Sequence, residues 1–159
     1  MSTATTELPP TKDVRDLLEG LLGKDCDFSD GLRVTEHPAL VGVYVDDHLS
    51  MRALVAFDLA MAAYSGAAIG LMPPGGAQDA VEDGELFPML RDNAAEVLNI
   101  MASLFNVGTA PHLKLYAHYA PDEALPADVA AHLASLGGRV DWTVAVKGYG
   151  TGQVSVVLT

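Results

Sequence analysis

Cysteine is almost absent: Cys26 stands alone among 159 residues. That excludes an internal disulfide and fits a reducing compartment. With no obvious partner it reads as a small buried hydrophobe rather than a reactive thiol. Aromatic residues are scarce, at 6%, so a core must rest on Ala, Val, Leu, Ile and Met. Bases are scarce too: 9 Lys and Arg face 21 acids, and none occurs between Arg52 and Arg91. Nucleic acid and anionic membrane both demand a basic patch, so neither suits a chain of net charge −12. No apolar run reaches the ~20 residues of a membrane span. Residues 59–72 come nearest and stop at Pro73-Pro74. Residues 1–10 lack the basic head and apolar body of a signal peptide and read as a disordered leader. The expectation is a cytoplasmic protein without membrane insertion, with a single domain over residues 11–159.

Hydrophobic residues, by contrast, make up half the chain, and mean hydropathy is +0.24. That composition implies a packed core. Thr11 is placed to cap a first helix in which Val14, Leu17, Leu18, Leu21 and Leu22 follow helical spacing, with Gly23 as its stop. Strand-like runs follow at 28–35, 39–45 and 49–57; the short Asp46-Asp47-His48 link makes the last two a hairpin. Asp58 caps a second helix, 59–69, ending at Gly70. Residues 73–85 read as a loop with at most one helical turn, its acids leading into the next helix, where negative charge is favoured. That third helix runs from about residue 86 or 87 to 106, with Pro88 tolerable in its first turn. Residues 112–119 alternate as a strand with Leu113, Leu115, Ala117 and Tyr119 on one face. A short helix at 126–136 and strands at 140–147 and 153–158 complete the chain. The order α-βββ-α-α-β-α-ββ predicts an α+β domain: a largely antiparallel sheet of about five or six strands with two long helices packed on it.

Most candidate sites fail on their own chemistry. Gly148-Tyr149-Gly150-Thr151-Gly152 has the glycines of a phosphate loop but opens a strand, not a helix, so a hairpin turn is the reading. Histidines 37, 48, 112, 118 and 132 lack ligand spacing; His112 and His118 share a strand face about 20 Å apart. No serine sits in a nucleophile elbow, and the acidic turns lack the alternating oxygen ligands of a calcium loop. The third helix is different. Apolar residues cover most of it, yet Asp92, Glu96, Asn99, Ser103 and Asn106 recur at spacings of 4, 3, 4 and 3, forming one narrow stripe. The plain reading is the solvent side of a helix on a sheet. Solvent stripes usually carry Lys–Glu pairs, whereas amides and a hydroxyl beside carboxylates suit recognition.

The stretch Asp92-Asn93-Ala94-Ala95-Glu96-Val97-Leu98-Asn99-Ile100-Met101-Ala102 resembles the signature helix of the CheC/CheX/FliY family of chemotaxis phosphatases. The family pattern is Asp or Ser, three residues, Glu, two residues, Asn, and a later Pro. Asp92, Glu96 and Asn99 match its first three positions; Pro121 falls one residue short of the usual spacing, and Pro111 is the competing candidate. Ser103 stands where many relatives carry Gly. A single Glu-x-x-Asn copy and the order of elements over residues 11–158 are most like CheX. The resemblance implies dephosphorylation of the aspartyl phosphate of a CheY-type response regulator. Asn99 would orient the attacking water, and Glu96 would pair with the regulator's lysine. Asp92 would support docking, with Ser103 and Asn106 as further contacts. It implies no cofactor of the protein's own, magnesium being held by the phosphorylated receiver domain. It also implies a homodimer paired through the sheet, for which the terminal strands are apolar enough. The alternative is a non-catalytic adaptor that binds a receiver through the same face.

Overall fold

The computed structural model describes residues 5–35 and 38–159. Its elements are α1 (Thr11–Leu22), β1 (Cys26–Asp30), β2 (Leu40–Val45), β3 (Met51–Phe57), α2 (Leu59–Ile69), α3 (Pro74–Asp83), α4 (Pro88–Met101), β4 (Lys114–Tyr119), α5 (Ala127–Leu133), β5 (Arg139–Val146) and β6 (Gly150–Leu158). The six strands form one antiparallel sheet in the order β1-β5-β6-β3-β2-β4. This is the expected α+β architecture, but the sheet is covered on both faces. Alternation along the central strands sends Tyr44, Val55, Phe57, Val144 and Val156 toward α1, α2 and α4. Their neighbours Val43, Leu54, Ala56 and Val157 pack with Val129 and Leu133 of α5 on the other side.

Close approach of helices explains several glycines. A Cβ on Gly66 of α2 would lie 2.4 Å from the Leu90 carbonyl oxygen of α4, and one on Gly70 would lie 2.4 Å from Asn93 Nδ2. A Cβ on Gly152 would meet the Met61 nitrogen at 2.5 Å, and one on Gly150 the Tyr64 ring at 2.6 Å. The glycines of the β5–β6 hairpin therefore admit α2 onto the sheet as well as permitting the turn. Asp58 caps α2 as expected, accepting from the Met61 N–H at 2.8 Å, and ties the helix to β6 by accepting from the Gln153 N–H at 3.0 Å.

Several boundaries differ from the sequence expectation. Thr11 is the first helical residue rather than the cap, and its Oγ1 accepts instead from Trp142 Nε1 at 3.2 Å. Leu8 and Pro9, within the expected leader, are not free: Leu8 packs against the core and Pro9 is buried. The first strand ends at Asp30. Beyond it the chain crosses the sheet, with the N–H groups of Leu32 and Val34 donating to the side chains of Gln153 and Ser155. The expected loop at 73–85 is largely α3. Pro74 presets its first turn, and Ala77 and Ala80 are buried against Ala63 and Ala67, which outweighs the low propensity of Gly75 and Gly76. Its acids belong to this helix and its exit, and the first turn of α4 holds none. In β4 the register shifts beside Val43 and Tyr44, so Leu115 faces the main core while Tyr119 packs in the second. The four residues expected on one face are split by this bulge.

Candidate functional site

Helix α4 packs into the main core through Ala94, Val97, Leu98 and Met101 and against α2 and α3 through Leu90, all buried. A buried stripe at that spacing turns positions 92, 96, 99 and 103 to solvent. Asp92, Glu96, Asn99 and Ser103 are exposed. Glu96 and Asn99 are three residues apart, which places them one above the other on the helix surface. Among the described residues no hydrogen bond or ion pair engages either side chain. Asp92 lies 3.8 Å from Arg91, an exposed pair with little energetic weight. Ser103 donates its hydroxyl to the Ile100 carbonyl at 3.0 Å.

Asn106 departs from the stripe. The helix tightens into a 3-10 turn over Ala102–Phe105, and Asn106 turns back toward the strand that follows. Its Nδ2 donates to the Leu113 carbonyl at 3.0 Å and its Oδ1 accepts from the Leu113 N–H at 2.7 Å. That carboxamide holds the entry to β4 and leaves little of it for a partner. Asn93 is also occupied, donating to the Gly66 carbonyl at 3.0 Å.

Two residues that bear on the site carry no signal in local sequence. Tyr44 is fully buried, and its hydroxyl donates to the Leu98 carbonyl at 2.5 Å; burial pushes its phenol far above the ordinary range. Gly42, two residues earlier on the same face of β2, leaves room for Leu98, whose Cδ1 would stand 3.2 Å from a Cβ there. Hydrophobic alternation marks both as core and says nothing of what lies above them.

Other features of the molecule offer less. Among the described residues no group of three or more His, Cys, Asp or Glu is placed to hold a metal ion. Cys26 is buried, and burial pushes its thiol up to about 11, away from the reactive range. A half-open cavity of about 370 Å³, lined by Pro38, Val41, Tyr119, Pro121 and Leu125, includes none of the stripe residues. Pro121 thus stands at that cavity, whereas Pro111 lies inside the loop that Asn106 clamps. No described helix is long and apolar enough to cross a membrane.

No protein-family model matches the chain, and no curated protein matches it in sequence. Solved structures do match in shape. The FliM middle domain of Vibrio alginolyticus superposes with TM-score 0.59 at 15% identity, over 92% of this chain and 86% of that one. CheX in a CheX–CheY–BeF3–Mg complex from Borrelia burgdorferi gives TM-score 0.54 at 10% identity, over 90% of each chain. The fold is that of CheX and the FliM middle domain. FliM in a FliG–FliM complex from Helicobacter pylori is similar too, with TM-score 0.54 at 6% identity over 92% of this chain and 85% of that one. On the CheX fold, the resemblance of the α4 stripe to the family signature and the architecture agree. At these identities it is the fold that is shared.

Proposed function

We propose that this protein removes the phosphoryl group from the aspartyl phosphate of a CheY-type receiver domain. One observation carries the reading. Asparagine is a poor helix former; Asn93 recovers that cost within α4 by its bond to Gly66, and Asn106, beyond the helical turn, is engaged by Leu113. Asn99 does not recover that cost. It stands exposed beside Glu96, matching the CheX-type signature in residue type and spacing.

The chemistry fits such sparse equipment. An aspartyl phosphate is an activated acyl phosphate: water attacks phosphorus, the bond from phosphorus to the carboxyl oxygen breaks, and carboxylate and inorganic phosphate result. The receiver supplies magnesium and a lysine, so the phosphatase need only place a water in line. The Asn99 carboxamide orients that water, Glu96 pairs with the lysine, and Asp92 and Ser103 lie at the edges of the contact. A second reading, a non-catalytic adaptor, is favoured by the likeness to a FliM domain solved in complex with FliG. A homodimer joined strand to strand would use the β1 or β4 edge, because β5 and β6 are paired on both sides.

The experiment follows loss of acyl phosphate from receiver domains with and without the protein. The wild type accelerates it. Asn99→Ala removes the acceleration, on the order of a hundredfold or more, while binding survives; Glu96→Ala weakens both. Acceleration unchanged in Asn99→Ala ends the assigned role, and binding without acceleration by the wild type selects the adaptor.

A further inference from the structure

The regular hydrogen bonding of α4 changes immediately around Asn99. In an α-helix the Leu98 carbonyl would accept from the N–H of residue 102. Here α4 ends at Met101, the N–H groups at its C-terminal cap reach the Asn99 and Ile100 carbonyls as a 3-10 turn begins, and the Leu98 carbonyl accepts from the Tyr44 hydroxyl at 2.5 Å. The Tyr44 ring lies 5.2 Å from the ring of Phe105, which belongs to that turn. One buried side chain from β2 therefore holds the residue before Asn99 by its oxygen and the turn after Asn99 by its ring.

We infer that Tyr44 is a positioning residue for Asn99. By drawing the Leu98 carbonyl toward the sheet it sets where the helix leaves α geometry, and so the direction in which the Asn99 carboxamide and the Ser103 hydroxyl leave the surface. This rests on the phosphatase reading for its consequence in rate, though not for its geometry. Without the hydroxyl, the Leu98 carbonyl loses its tie to β2, and the end of α4 and the residues beyond it re-aim.

Tyr44→Phe keeps the ring and removes only the hydroxyl. At saturating receiver the dephosphorylation rate is expected to fall roughly tenfold, while receiver binding is unchanged. The backbone amide NMR signals of residues 99–103 are expected to shift. Val157→Ala, in the core on the opposite face of the sheet, serves as the control: it lowers stability and leaves rate and amide signals alone. A wild-type rate in Tyr44→Phe, or an equal loss in Val157→Ala, overturns the inference. If the wild type shows no acceleration, the phosphatase reading fails by itself. The amide signals then decide, and unshifted signals in Tyr44→Phe overturn the positioning role.

Discussion

The carboxamide of Asn93 donates to the Gly66 carbonyl at 3.0 Å, fastening the candidate site helix to α2. The bond exists because Gly66 lets the two backbones come together; a methyl there would stand 2.4 Å from the Leu90 carbonyl oxygen. Backbone, unlike the end of a side chain, cannot step aside without moving the whole of α4.

Gly66→Ala is accordingly expected to cost about 2 kcal/mol or more, even though alanine is the better helix former. Urea unfolding measures this as a lower midpoint. A midpoint equal to or above that of the wild type would mean the helices are less closely apposed than described.

Asn106 and Ser103 separate a structural amide from a surface hydroxyl. Asn106→Ala strands the N–H and carbonyl of Leu113 and should lose roughly 1–3 kcal/mol. Ser103→Ala, exposed, should stay within about 0.5 kcal/mol of wild type. Thermal unfolding of the two variants beside receiver binding tests the assignment. Weakened binding in an Asn106→Ala protein of unchanged stability would return Asn106 to the contact surface.

The hairpin between β2 and β3 should lose stability in acid. Asp46 is buried and accepts from Arg52 Nε at 2.8 Å and from the N–H groups of Ser50 and His48. Chiefly the Arg52 bond, helped by those N–H groups, holds its carboxyl below the usual carboxylate range. A carboxyl lowered in the folded state contributes stability that is present above about pH 4 and lost as pH falls through its folded value. Denaturant midpoints at pH 7, 4 and 3 should therefore fall more steeply for the wild type than for Asp46→Asn. Parallel declines would remove Asp46 from the acid response.

The legible parts of this protein are those in which local chemistry and final environment coincide. Val14, Leu18 and Leu22 at helical spacing became the buried face of α1, with Gly23 in the left-handed conformation at its end. Asp58 became the cap of α2, and positions 92, 96 and 99 of α4 and 103 of the turn after it came to the surface. Misreadings arose where partners come from elsewhere in the fold. Residues 74–83 hold two glycines and look like a loop until Ala77 and Ala80 find Ala63 and Ala67. Alternation in β4 cannot reveal a bulge that depends on its pairing with β2.

The candidate site divides in the same way. Residue type and spacing by themselves determine that Glu96 and Asn99 share one face, because helical geometry converts a separation of three into adjacency. Periodicity groups Asn99 with Asn106, and only tertiary structure distinguishes them. Asn106 meets Leu113 where the chain turns back, whereas Asn99 meets solvent. The sheet order, which makes β5 and β6 interior, and the placing of Tyr44 beneath Leu98 were likewise decided in three dimensions. Periodicity reports which side of an element is apolar; a hydrogen bond between residues 54 positions apart depends on how the elements are stacked.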